Sequence, residues 1–169
     1  MRSETLYRDL AHGAETIRAL VMGVTSAEAR FKPNPKSWSI LEVVCHLYDE
    51  EREDFRQLLD IIWHRPTEEW LPLDPGSQVA TRRYNERNLS EALSSFLSER
   101  EKSLTWLQSL SAPDWEAEYT MPFGPIRAGD ILASWAAHDI LHMRQLVELR
   151  RTRIVSLAEP FDVRYAGKW

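Results

Sequence analysis

Cysteine is almost missing from this sequence: among 169 residues only Cys45 carries a thiol. One cysteine excludes an intrachain disulfide framework and any zinc site built mainly from thiolates. Glycine is scarce as well, with six residues, and no glycine-rich phosphate cradle or dinucleotide fingerprint can be found. Positive charge is in deficit. Lys and Arg number 21 against 26 Asp and Glu, giving a formal net charge of −5, which weighs against a protein dedicated to displacing counterions from nucleic acid. No run approaches the eighteen apolar residues of a membrane span. The first turn-lengths carry Arg2, Glu4, Arg8 and Asp9 instead of an apolar leader. No Ser-His-Asp arrangement stands out. The expectation is a cytoplasmic protein with neither a membrane nor a nucleic-acid partner.

What is present is apolar patterning at helical spacing. Apolar residues make up 43% of the chain and charged residues 28%, enough for one packed domain. A first stripe runs through Leu6, Leu10, Gly13, Ile17, Leu20 and Val24, a second through Ile40, Val44, Leu47, Phe55, Leu58 and Ile62. A third runs through Leu93, Phe96, Leu97, Leu104 and Leu107, a fourth through Ile131, Trp135, Leu146 and Leu149. Each stripe needs apolar cover, so the pattern predicts an all-α four-helix bundle over residues 1–150. Ser39 with Glu42 forms a capping box, with Trp38 and Val43 placed as a hydrophobic staple. Asn88 with Glu91 marks the start of the third helix. Residues 65–87, rich in proline, form a long connection between helices 2 and 3 that either crosses the bundle end or covers a site. Residues 113–127 read as a short extended loop or hairpin before helix 4. The tail, 151–169, carries Phe161, Tyr165 and Trp169 and is expected to dock on the bundle or on a partner. Seven tryptophans make a homodimer through helix faces an open expectation.

The stretch with most chemistry is His138-Asp139-Ile140-Leu141-His142. Histidines four apart lie on one helix face, so both rings can reach one ion. They straddle the centre of the fourth stripe, where unpaired polar groups are costly; core histidines bonded to ordinary acceptors are the alternative. A third ligand has to come from another helix, from His12, His46 or His64. His12 reads as a surface residue and His64 as a cap near a helix C-terminus. His46 falls at the edge of the second apolar arc, which leaves it ambiguous. Glu50, one turn on, shares its side and could orient the ring or contact the metal's water. Asp49 and Glu53 read as solvated, and Cys45 as a packing residue. Glu51 and Arg100 interrupt inward stripes. They read either as a mutual ion pair or, for Arg100, as a group holding a substrate or cofactor carboxylate.

The run Trp38-Ser39-Ile40-Leu41-Glu42-Val43-Val44-Cys45-His46-Leu47 resembles the second-helix signature of the DinB-like superfamily of metal-binding four-helix bundles. His138-Asp139-Ile140-Leu141-His142-Met143-Arg144-Gln145 resembles its fourth-helix signature, and the resemblance extends over most of residues 1–150. It implies a metal tripod of His46, His138 and His142. Three neutral imidazoles suit zinc, nickel or another borderline divalent ion and leave positions open. Superfamily members include metal-dependent thiol transferases and hydrolases. The resemblance implies metal binding before any one reaction; among small-molecule enzymes, transfer of a low-molecular-weight thiol stands narrowly ahead, with Glu50 as an orienting or acid-base group and Arg100, Arg82, Arg83 or Arg87 as contacts for a thiol cofactor's carboxylate. A metal-dependent hydrolase, or a non-catalytic metal-binding stress-associated protein, is the alternative. Asp139 ranks below Glu50, because it points about a quarter turn or more away from His138.

Overall fold

The computed structural model describes residues 2–169. The bundle is made of α1 (Ser3–Val21), a second helix broken into α3 (Ile40–Glu53) and α4 (Phe55–His64), α6 (Leu89–Ser109) and α7 (Ala128–Ala158). Short helices α2 (Ser26–Arg30) and α5 (Pro75–Thr81) lie in the connections, and a hairpin of β1 (Glu118–Met121) and β2 (Gly124–Arg127) precedes α7. The caps form as the sequence implies. Ser39 N–H donates to Glu42 Oε2 at 2.7 Å and Glu42 N–H to Ser39 Oγ at 3.1 Å, while Asn88 Oδ1 accepts from Glu91 N–H at 3.1 Å. The second helix is not continuous, however. Asp54, with φ −118° and ψ −93°, ends α3 and begins α4.

Two apolar clusters fill the bundle. One gathers Ile17, Val21, Leu41, Val44, Phe96 and Leu146; the other gathers Leu10, Leu58, Leu59, Leu107, Leu132 and Trp135. Every long helix contributes to both, and on every one the residue at the junction departs from the apolar pattern: Gly13, His46 to Glu51, Arg100, and His138 to His142. A buried polar layer thus divides the core.

The order in which each helix meets the clusters sets the topology. α1 and α7 run from the second cluster to the first, whereas α3–α4 and α6 run the other way. Helices 2 and 3 are therefore parallel neighbours, and the chain has to return along the whole bundle between them. That is the physical need for the long connection. It is not structureless: α5 and a 3-10 turn, Tyr84–Glu86, pack it against α3, with Tyr84 fully buried. This corrects the expectation that Asp49 and Glu53 are solvated. Asp49 is 1% exposed, accepts from the Tyr84 hydroxyl and pairs with Arg82 at 2.7 Å; Glu53 also pairs with Arg82 at 2.7 Å. The last helix outruns its expected end at residue 150 by two turns, and the segment after it leaves Phe161 and Tyr165 exposed, with Trp169 lying against Arg151 at 4.8 Å.

Candidate metal centre

The capping box fixes where α3 starts, and so which way His46 faces; α7 brings His138 and His142 one turn apart. His138 Nε2 lies 3.3 Å from His46 Nε2 and 3.0 Å from His142 Nε2. One ligand nitrogen from each ring can be chosen so that all lie within 4.8 Å of one another. Two nitrogens on a tetrahedral zinc, at bond lengths near 2.0–2.1 Å, stand roughly 3.3–3.4 Å apart, so the spacing fits a shared ion. His142 Nδ1 donates to Gln145 Oε1 at 2.8 Å, which places its proton on that side and leaves Nε2 with a bare lone pair toward the centre. Three ring nitrogens facing one point cannot all satisfy one another. A cation there completes them.

The surroundings keep the rings neutral, as metal binding demands. Burial, followed by the neighbouring His142 and His138, pushes His46 down to about 2. Burial, His142 and the Arg100 charge push His138 down to about 3. Burial also lowers His142, against the pull of its bond to Gln145. Trp38 packs its ring edge-on to His46 (centroids 4.9 Å) and parallel to His142 (6.4 Å), and Phe55 stands edge-on to His138 at 5.2 Å. These aromatic walls are a feature sequence reasoning gave only as a staple.

Glu50 Oε1 stands 3.5 Å from His46 Nδ1. The contact lacks hydrogen-bond geometry, and Nδ1 has no other partner. Glu50 is buried, and burial together with the Asp54, Asp49 and Glu53 carboxylates raises its own carboxyl to about 9. Its side chain is hydrogen-bonded to Asp54, whose carboxyl is also raised, by burial. Asp54 escaped the sequence reading. Its signal was the i, i+4, i+8 spacing His46, Glu50, Asp54 on one face.

Arg100 is placed elsewhere. It is 2% exposed, pairs through Nε with Glu51 at 2.9 Å and grips Asp139 with both Nη atoms at 2.6 and 2.9 Å. Nη1 also donates to the Leu10 carbonyl at 2.7 Å, and Trp135 Nε1 donates to Glu51 at 2.9 Å. Its guanidinium thus faces carboxylates and backbone inside the core, where a thiol cofactor's carboxylate has no access; of its two expected roles, this placement serves the ion pair. Asp139 is held in the same pair, and a Cβ on Gly13 would overlap its Oδ2. His12 is exposed, and His64 Nδ1 lies 2.8 Å from the Asp60 carboxylate one turn back, a side-chain pair in place of the expected cap. Cys45 is buried, its thiol pushed up to about 12 by that burial.

Two cavities border this region. One, of about 510 Å³, has a mixed polar and apolar lining and touches His142, Trp38, Lys36, Gln145, Glu148 and Leu149. The other, of about 710 Å³, is largely apolar and lies between the hairpin, α4, α7 and residues 69–72, with Asp54 at its edge.

Three imidazoles on antiparallel helices of a bundle, with ligand nitrogens converging and carboxyls alongside, define a metal-binding helical-bundle protein. The chain belongs to the DinB superfamily, which it matches over residues 10–146, an interval that contains all three histidines. Among solved structures it is similar to YfiT from Bacillus subtilis, described as a probable metal-dependent hydrolase with an unusual four-helix bundle topology. The similarity has a TM-score of 0.79 at 16% identity and covers 89% of this chain and 86% of that one. No curated protein sequence matches the chain. Among the described residues, no helix is long and apolar enough to cross a membrane.

Proposed function

We propose that this chain is a metal-dependent enzyme that transfers a low-molecular-weight thiol to a small electrophile. The observation that carries the reading is the convergence of three neutral imidazole nitrogens beside the Glu50 carboxyl. His46, His138 and His142 hold a zinc or nickel ion. Such an ion, when bound, polarises an oxygen and favours a thiolate over a thiol. Glu50, whose carboxyl is held protonated, gives its proton to the leaving oxygen and takes up the thiol proton as sulfur bonds to the electrophilic carbon. The bond from that carbon to its leaving oxygen breaks in the same step, and Glu50 ends as it began, protonated. The cavity beside His142 supports a second substrate, because Lys36 offers the carboxylate contact that the placement of Arg100 does not.

Hydrolysis is the second reading, favoured by the description of YfiT; water would then replace the thiol. Protein loaded with zinc or nickel is expected to consume an epoxide only when a low-molecular-weight thiol is added. Consumption without thiol moves the assignment to hydrolysis. Divalent metal no higher in wild type than in His142→Ala removes both. Glu50→Gln should retain metal yet lose roughly 10²–10⁴-fold in turnover, the usual contribution of a positioned proton carrier. A homodimer is supported by Ile140, Val147 and Ile154, exposed and seven apart along α7; sedimentation at monomer mass would remove that part.

A further inference from the structure

The larger cavity has a chemistry of its own. Its walls come from Trp70, Tyr119, Met121, Phe123, Ile126 and Ile131, and its titratable lining groups are the carboxyls Asp54 and Glu69 and the Tyr119 phenol, with no lysine, arginine or histidine among the lining residues. Trp70 Nε1 is shut off from solvent and has no hydrogen-bond partner, an arrangement that costs free energy and that a turn of the indole toward an acceptor in the cavity would relieve. The wall is braced before any ligand enters. Trp70 N–H donates to the Tyr119 hydroxyl at 2.9 Å, and that hydroxyl donates to the Glu68 carbonyl at 3.1 Å, tying residues 68–70 to the hairpin.

The cavity's inner end also has a direction. Asp54 is hydrogen-bonded to Glu50, which stands 3.5 Å from His46 Nδ1. Ser134, another lining residue, precedes His138 by one turn of α7. A molecule seated here has one end at the carboxyls beside the tripod and its body against aromatic rings. Leu71 and Phe123, exposed at 73% and 80%, provide apolar surface at the rim.

We propose that this cavity binds the electrophilic substrate, and that the substrate is an uncharged aromatic or branched apolar compound whose carbonyl or ether oxygen accepts from Trp70 Nε1. The volume of about 710 Å³ lies within the range of small-molecule sites. The carboxyl-bearing, cation-free lining disfavours an anion, which would be desolvated without a partner. The substrate role rests on the proposed function; the binding chemistry does not.

The two are separated by measuring binding in metal-free protein. Full-length chain labelled with ¹⁵N-tryptophan is titrated with acetophenone and, in parallel, with benzoate, a planar anion of similar size. The Trp70 indole signal is identified by its loss in Trp70→Phe. Acetophenone is expected to shift that signal saturably, equally so in His142→Ala, and benzoate to bind at least tenfold more weakly. Trp70→Phe, which removes one hydrogen bond, should weaken acetophenone binding about tenfold, as followed by ligand-observed saturation transfer. Ser134→Phe, which sets a ring on the α7 side of the cavity from a solvent-facing position, should weaken it further. An unmoved Trp70 signal, or benzoate binding as tightly as the ketone, overturns the proposal. So does undiminished binding in both variants. Ketone binding at Trp70 in a protein that holds no metal would sustain the pocket's chemistry while removing the enzymatic reading.

Discussion

Two polar clusters sit in the same layer of this bundle, carried by neighbouring faces of the same helices, and they are built on opposite plans. In one, Arg100 meets Glu51, Asp139 and the Leu10 carbonyl, and Trp135 donates to Glu51; opposite charges close on each other and face nothing outside. In the other, three imidazoles of like character are turned toward one point, with the His46 Nδ1 unpartnered and two carboxyls at its edge. The first arrangement meets its charges inside the fold, although Arg100 Nε and Glu51 Oε1 face each other off hydrogen-bond geometry. The second leaves ring nitrogens that a cation would complete, so the first serves the fold and the second offers a metal site. α7 shows the economy of the layout: Trp135 and Asp139 serve the closed cluster, and His138 and His142 the open one, one face over.

Breaking the closed cluster should have the largest effect. Arg100→Met strands two buried carboxylates, and about 3–5 kcal/mol of stability should be lost, read from the urea midpoint of the metal-free protein; a change below 1 kcal/mol would mean the pairs do not form. The open cluster should respond through metal instead. At free zinc or nickel a hundredfold above its dissociation constant, wild type gains about 3 kcal/mol, and His142→Ala should gain almost none while its metal-free stability stays close to wild type. Equal metal-induced shifts in melting temperature would contradict the tripod. Gly13→Ala sharpens the contrast from a third helix. Its methyl would push on Asp139 and cost about 2 kcal/mol without altering metal stoichiometry.

A last contrast lies in the pH profile of the metal-free protein. His46 and His138, held near 2 and 3, and His142, lowered in the same direction, stay neutral when folded, whereas the unfolded chain takes up their protons near 6.5. Groups shifted downward contribute stability that is full above 6.5 and is lost as pH falls toward the folded values, at about 1 kcal/mol per histidine for each pH unit. Glu50 acts oppositely. Its carboxyl, raised to about 9 from 4.5, contributes stability present at low pH and lost as pH climbs through 9. Urea midpoints against pH should fall on both sides, and replacing the three histidines by glutamine should flatten the acid limb alone.

Helix existence was readable because each helix declares itself locally. The Ser39–Glu42 box and the Asn88 cap lie where their own residues require. The break at Asp54 was not readable, since the apolar stripe continues through it. Nor was the end of α7, because residues 151–158 remain compatible with a helix that has left the bundle. Within the site, the four-residue spacing put His138 and His142 on one face, whereas His46 entered through family resemblance, its wheel position being ambiguous. Asp49 was misread because its partners, Tyr84 and Arg82, come from a connection more than twenty-five residues downstream.

By itself the sequence determined the helices, their caps and the direction in which each side chain leaves its own axis, because hydrogen bonding and periodicity act over three or four residues. Tertiary structure decided which of those directions meet. It joined His46 to the pair on α7, enclosed Arg100 between Glu51 and Asp139, and left the imidazoles facing a common point. Such outcomes depend on the packing of helices whose contacts are separated by as many as 130 residues of chain, a distance over which no local rule carries information.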